Sequence, residues 1–364
     1  MKKVIILEPN PYHNEVLPGI VKYFEDLDYT ADVYVREECY YDNAFCRYAI
    51  KGIRKSYRLE DVAKILLDEK IKEYDFIFFS SMEHCENGSE KRFLTELGFI
   101  PNTKYGVLGM YHSNTLIDKF NDYELLRENR LFCISEFQTK NYHGLRTLPP
   151  IYFASEVKEH KIDKSKKRTL LLIGNASDFP AVTDAWWRLT REKRHKLEIK
   201  HIGSLPGRDI SFKGFLYQCY CLIIGIFDYS YRSQKFITKL GRLSFERMYE
   251  EVENADFLVC MIDPSKENTR HYMNQNTSGI RQQAFGFHKP VIINESVAEI
   301  YDISSEASVL YHDNGLCKAI ERCIDMSYDE YFEMIQQLEA DAAKLYRIGL
   351  ENLSKCIDEH RIKR

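Results

Sequence analysis

The residues 274–286 read NQNTSGIRQQAFG, a run of hydrogen-bonding side chains and a glycine set before a helical pattern. The first turn of a helix carries N–H groups without intrahelical partners and the positive end of the helix dipole, so it attracts anions. One Ser or Asn is enough to cap a helix. Asn276, Thr277 and Ser278 together exceed that need, and Gly279 lets backbone approach a ligand closely. A phosphate is the ligand that fits. Arg281 lies in the first turn, where dipole logic does not favour a cation, so a phosphate gives it a role; Gln282 beside it is grouped with the same site.

A second junction of this kind is LLLIGNAS, 170–177, followed by the helical pattern PAVTDAWWRL. Gly174, Asn175 and Ser177 form a turn in which Ser177 or Asp178 caps the helix and Pro180 sits in its first turn. The turn is not G-x-G-x-x-G, which argues against a dinucleotide cofactor.

Candidate acid–base groups gather in the first half. FFSSMEHCENG offers Glu83 and His84, GMYHSN offers His112 directly after a strand-like run, and the opening loop offers Tyr12, His13 and Asn14. A histidine or carboxyl group at such a strand end is suited to take a proton from an attacking hydroxyl. No metal ligand set is expected: the ten cysteines are scattered without a C-x-x-C pair, and no D-x-D stands on a suitable loop.

These residues need a scaffold that presents loops at one edge. Short, nearly continuous apolar runs recur at 3–8, 31–35, 75–81, 104–110 and 130–135, separated by helical patterns such as EVLPGIVKYFEDL and LEDVAKILLDEKI. That alternation predicts βαβ units and a parallel sheet covered on both faces. After a polar stretch it restarts, with strands at 168–175, 197–204, 255–263, 290–294 and 308–312. The expected fold is α/β, with two Rossmann-like doubly wound parallel-sheet domains facing a cleft and C-terminal helices. The boundaries are 1–150 for the first domain, 151–167 for a linker, 168–326 for the second domain with an insertion at 206–238, and 327–364 for a helical tail. In open parallel sheets ligands bind beyond the carboxyl ends of the strands, where the residues above fall.

Composition bounds the function. The 364 residues are 44% hydrophobic and 29% charged, with a formal net charge of -4, a soluble globular mixture with no electrostatic case for nucleic acid. The opening MKKVIILE is too short for a signal segment, and CYCLIIGIF at 219–227 is about half a bilayer crossing. A cytoplasmic protein is expected. The insertion 206–238 combines aromatic side chains with Arg208, Lys213, Arg232 and Lys235; a lid, a packed hairpin, an oligomer or acceptor contact and a membrane-facing patch all remain open for it.

Several stretches together resemble GT-B-fold glycosyltransferases. SGIRQQAFGFHKPVIIN resembles the segment in which a nucleotide-sugar loop leads a short helix into "GKPVI". KLGRLSFERMYEEVENADFLVCMID, LFCISEFQTKNY and VIILEPNPYHNEVLPGI resemble, in order, the run before that loop, the last strand and turn of the first domain, and the acceptor-side opening loop. The resemblance covers the chain apart from 206–238. It implies transfer of a sugar from a nucleotide-diphosphate donor, held by the second domain, to a glycan or lipid-linked acceptor in surface polysaccharide or glycoconjugate synthesis. It implies metal independence and no cofactor beyond the nucleotide-diphosphate sugar as co-substrate. It gives His112 a place where such enzymes keep a sugar-contacting histidine, with Glu83 and His13 as further catalytic candidates. Peripheral contact with the inner membrane face accompanies a lipid-linked acceptor. The chain departs from the pattern of retaining members, which carry two glutamates eight positions apart: Gln275 and Gln283 stand there, and GNASDFPA lacks the usual Arg and Lys. Retaining or inverting chemistry is therefore open. So are a nucleotide-sugar epimerase or phosphorylase on this fold, and a non-catalytic partner protein.

Overall fold

The computed structural model describes residues 2–11, 13–58, 73–82, 106–113, 124–140, 142–151, 166–174, 179–203 and 237–360. The chain divides into two compact units, one of Met1–Val157, His271–Phe287 and Glu339–Arg364, the other of Lys158–Arg270 and His288–Leu338.

The first unit holds a seven-stranded sheet in the order β3-β2-β1-β4-β5-β6-β7. Its strands are β1 (Lys2–Glu8), β2 (Tyr29–Arg36), β3 (Arg54–Tyr57), β4 (Phe76–Phe79), β5 (Gly106–Tyr111), β6 (Leu131–Cys133) and β7 (Arg146–Thr147). All neighbours in the sheet pair parallel. The central strands are apolar throughout because both faces are covered: every residue of FIFF in β4 and GVLGMY in β5 is buried. Helix α1 (Leu17–Asp26) packs Leu17, Ile20, Val21 and Phe24 on one face, the three-four spacing of an amphipathic helix, and Pro18 fits its first turn. Each such fully buried side chain contributes about 1.5–3 kcal/mol.

The second unit holds a six-stranded sheet in the order β10-β9-β8-β11-β12-β13. Its strands are β8 (Arg168–Ile173), β9 (Leu197–Ile202), β10 (Ile237–Gly241), β11 (Phe257–Val259), β12 (Val291–Asn294) and β13 (Ser308–Tyr311), again all parallel. Counted within its unit this is the order 3-2-1-4-5-6, that of the first six strands of the first sheet. Both are doubly wound, and each reverses direction of winding beside its first strand. Helix α2 (Phe179–Arg188) contributes Val182, Ala185 and Trp186 to the core beneath this sheet. Helix α3 (Phe245–Asn254) turns Tyr249 and Val252 inward.

Helix α4 (Gly279–Gly286) belongs to the first unit and leads to β12 of the second. His288 makes the turn with a positive φ of 47°, and Lys289 Nζ donates to the carbonyls of Glu253 and Ala255, at 2.7 and 2.9 Å. The short helix α5 (Glu295–Ile300), then α6 (Leu316–Asp325) and α7 (Tyr328–His360) complete the chain. The tail expected to hold one or two helices is one, of 33 residues. Its start packs Tyr331 and Met334 in the second core, and its end packs Leu353, Cys356 and Ile357 in the first.

Five strands were expected in each half. The structure adds β3, β7 and β10 at sheet edges, where the sequence carries no apolar run: RKSY in β3 has a single buried residue, and β7 is two residues long. The pattern at 59–71, the linker apart from Ile151, Lys166 and Lys167, and the insertion apart from its last two residues lie outside the described residues.

Candidate active site

The first sheet reverses between β1 and β4, and Glu8 ends β1 at that point. The parallel register pairs Leu7 with Phe79, so the next residues, Glu8 and Ser80, meet. Glu8 is fully buried. Its Oε2 lies 2.8 Å from Ser80 Oγ, and its Oε1 accepts from the Asn10 N–H at 2.7 Å. The Ser81 hydroxyl also bonds this carboxyl. Tyr57 Oη donates to the Glu8 carbonyl at 2.8 Å and closes the opposite side. Burial pushes the Glu8 carboxyl up to about 7, against the lowering effect of the Ser81, Ser80 and Asn10 bonds.

His112 follows β5 at the same edge. Its Nε2 is 2.7 Å from the Ser80 carbonyl oxygen and 3.4 Å from Ser81 Oγ. A carbonyl only accepts, so Nε2 carries a proton and Nδ1 is the basic nitrogen of the neutral ring. His13 lies flat on His112, with ring centroids 4.3 Å apart and planes 3° from parallel. Asn10 Nδ2 donates to His13 Nδ1 at 2.9 Å, which leaves the proton of the neutral His13 ring on Nε2. Glu15, in the same opening loop, is pushed up to about 8, first by burial and then by the charges of Glu8 and Asp42, against its own backbone N–H bond. Two histidines read separately from the sequence are thus one stacked pair.

The loop before α4 joins this edge. Ser113 and Asn276 form an isolated antiparallel bridge. Gln138 Nε2 donates to the carbonyls of His112 and Gln275, at 3.0 and 2.9 Å. Ser135 Oγ and Thr277 Oγ1 are 2.7 Å apart. The Ser278 hydroxyl caps α4 by accepting from the Ile280 N–H at 3.4 Å. Gly279 opens the helix with empty space where a side chain would begin: no atom lies within 4 Å of an ideal Cβ. Arg281 is fully buried, with Nη1 donating to the Ile134 carbonyl at 3.4 Å and its guanidinium 5.5 Å from the Phe285 ring centroid. Gln282 and Gln283 are 3% and 5% exposed, and their Oε1 atoms, like Asn276 Oδ1, find no donor among the described residues.

In the second unit the corresponding reversal lies between β8 and β11. Gly174 follows β8 in the left-handed region, φ 97°, again with no atom within 4 Å of where a Cβ would stand. Its carbonyl is 2.9 Å from His201 Nε2, and Gly203 packs directly against it. Asp263, Asn294, Tyr311 and Asp313 line a small pocket at the carboxyl ends of β11, β12 and β13. Glu83, His84, Asn175 and Ser177 lie outside the described residues.

Sequence reading passed over Glu8, Asn10, Ser80, Ser81 and Gln138, which hold the histidine pair and the loop. The signal that could have found them was polar residues at or just beyond the ends of three apolar runs, KVIILE, DFIFFSS and LFCIS.

The chain is similar over nearly its full length to solved glycosyltransferase structures. A glycosyltransferase from Rickettsia africae matches with a TM-score of 0.58 at 12% identity, over 100% of this chain and 99% of that one. HepE of Anabaena, in complex with UDP and glucose, matches with a TM-score of 0.59 at 12% identity, over 98% and 100%. The fold is the GT-B fold. AviGT4, a glycosyltransferase involved in avilamycin A biosynthesis, matches with a TM-score of 0.56 at 10% identity, over 99% and 97%. No family model and no curated protein matches the sequence. At these identities the likeness carries the fold, and the doubly wound parallel sheets expected from the sequence agree with it. Within this GT-B fold the first unit carries the histidine pair and the second the open Gly174 turn. Among the described residues no helix is long and apolar enough to cross a membrane.

Proposed function

We propose that the protein is a glycosyltransferase that moves a sugar from a nucleotide-diphosphate donor to a hydroxyl acceptor. The observation that carries this reading is the His13–His112 pair at the reversal of the first sheet, bonded through Gln138 to the loop that opens α4. His112, with its proton fixed on Nε2, takes the acceptor hydroxyl proton on Nδ1. The acceptor oxygen then bonds to the anomeric carbon, the bond from that carbon to the diphosphate oxygen breaks, and the nucleoside diphosphate leaves with the electron pair. Direct displacement of this kind inverts the anomeric configuration. Imidazole is the side chain best matched to such a base role near neutral pH.

The donor falls to Gly174, Asn175 and Ser177 and to Asn276, Thr277, Ser278, Gly279, Arg281 and Gln282, on the argument that a glycine turn and a helix N-terminus both favour the diphosphate. The oxygens of Asn276, Gln282 and Gln283, which find no donor among the described residues, support a sugar, whose hydroxyls are donors that buried acceptors need. HepE binds UDP-glucose in a solved structure of the same fold, which supports a nucleotide sugar as the donor class. The acceptor is a glycan or lipid-linked sugar of surface polysaccharide or glycoconjugate synthesis, reached from the cytoplasm with peripheral contact at the inner membrane face. The reading assigns no metal, since the imidazole handles the proton and the amide ends of α4 face the leaving charge.

The test is a thermal-shift screen of UDP-, GDP- and ADP-sugars. The reading expects at least one to raise the melting temperature more than its free sugar does. No shift with any of them overturns it.

A further inference from the structure

Among the described residues Glu8 is the carboxyl group whose bonding partners contact both stacked histidines, and the reaction proposed above gives it no task. It is fully buried at the reversal of the first sheet, with each oxygen engaged: Oε1 by the Asn10 N–H and Oε2 by Ser80 Oγ. Both contacts lead to a histidine. Asn10 donates from Nδ2 to His13 Nδ1 at 2.9 Å. Ser80 receives His112 Nε2 on its carbonyl at 2.7 Å, and the Ser81 hydroxyl stands between Nε2, at 3.4 Å, and the Glu8 carboxyl.

We propose that Glu8 is a positioning residue that locks both histidines in their stacked pose and, through Ser80 and Ser81, couples its own ionisation to the basicity of His112. This rests on the glycosyltransferase reading for its consequence in turnover, but not for its structural content.

The geometry serves both protonation states. When Glu8 is ionised, Ser80 and Ser81 donate their hydroxyl protons to it. Ser81 then turns a lone pair to His112 Nε2–H and favours a positive ring, as a more direct carboxylate does in a catalytic triad. When Glu8 is protonated, its own O–H donates to Ser80 Oγ. Ser80 passes its proton to the Leu7 carbonyl, 2.9 Å away, and the support for a positive ring is withdrawn.

Groups on every neighbouring element agree with an ionisation near neutral pH. From the opening loop come His13 and Glu15, and Glu15 disfavours a second negative charge. Among the described residues the end of β4 offers Ser80 and Ser81, the end of β5 offers His112, and β3 offers Tyr57 on the Glu8 carbonyl. From β2, Arg36 reaches the Pro9 carbonyl at 3.4 Å but is paired with Glu38 at 2.6 Å. Asp42 acts on Glu15. Among the described residues no lysine or arginine pairs with Glu8, so burial raises its ionisation to about 7. The sign follows: Glu8 is protonated below that pH, ionised above it, and supports the base only when ionised.

The test uses full-length protein with nitrogen-15-labelled histidine, as wild type, Glu8→Gln and Ser81→Ala. In wild type the His112 ring signals follow their own titration and a second inflection near pH 7. In Glu8→Gln the second inflection disappears, and in Ser81→Ala it shrinks while Glu8 keeps Asn10 and Ser80. Identical titrations in folded Glu8→Gln and wild type overturn the proposal. If Glu8→Gln fails to fold, Ser81→Ala decides, and an unchanged second inflection there overturns it as well. On a nucleotide sugar selected by the thermal-shift screen, kcat of wild type rises through pH 7. Glu8→Gln lacks that rise and is about tenfold slower at pH 8, with KM for the donor unchanged. If no nucleotide sugar binds or turns over, the glycosyltransferase reading fails, while the histidine signals still decide whether Glu8 is coupled to His112.

Discussion

Glu8 and Ser80 fill the reversal point of the first sheet, whereas Gly174 leaves that of the second open. The strand order around the reversal is the same in both, so topology alone does not explain the difference. In the first unit the strand ends carry ionisable and hydroxyl side chains: Glu8 at the end of β1, Ser80 and Ser81 after β4, His112 after β5. In the second, β8 ends in a residue with no side chain, in a backbone conformation few other residues adopt, with its carbonyl held by His201. At its reversal point the first sheet presents ionisable and hydroxyl side chains, whereas β8 of the second ends on the backbone of Gly174. A transfer reaction needs both kinds of group, an acid–base side chain for the acceptor and amide groups for a diphosphate.

Three substitutions break or sharpen this comparison. The largest effect is expected from Arg281→Met. Arg281 ties α4 to the end of β6 from a fully buried position, and its loss leaves the Ile134 carbonyl with one donor fewer. Chemical denaturation is expected to show a loss of about 3 kcal/mol, the scale of a broken buried charged hydrogen bond. A change below about 0.5 kcal/mol, the range of ordinary surface substitutions, would show that the loop is not anchored in this way.

His112→Ala comes next. Turnover is expected to fall about 10²-fold or more, the lower range for a positioned acid–base group, with nucleotide affinity retained. Normal turnover in the folded variant would move the base away from the histidine pair and erase the contrast between the two reversal points.

Gly279→Val is the mildest. An ideal Cβ there meets nothing within 4 Å, so the melting temperature is expected to stay put. Affinity for a nucleoside diphosphate is expected to drop about tenfold, because a branched side chain obstructs close approach to the first turn of α4. Equal affinity in calorimetric titration would remove Gly279 from the site.

The central strands were legible because parallel strands covered on both faces show as unbroken apolar runs, and KVIILE and FIFF are such runs. Edge strands were not: RKSY in β3 keeps three of its four residues at least partly exposed and leaves no apolar signature. Helix α4 was legible at both ends, from the capping Ser278 and from Gly286. His13 and His112 stand out singly as candidates, by residue type and by position after a strand. Their stacking was not legible, since it depends on which strands lie side by side. Glu8 was missed for a related reason. At the end of an apolar run it looks like the point where a strand meets water, and only the register of β1 with β4 places it against Ser80 in a dry environment.

The most direct measurement of the central claim is release of nucleoside diphosphate from the nucleotide sugar that stabilises the protein most, followed with and without a hydroxyl acceptor, in wild type and His112→Ala. The account predicts slow release by wild type alone, faster release with the acceptor and a sugar–acceptor product. It predicts that His112→Ala binds the donor equally well and loses about 99% of that rate. A wild-type protein that binds a nucleotide sugar and never releases the diphosphate, with water or with any sugar acceptor, would contradict it and leave a GT-B fold that binds without transferring.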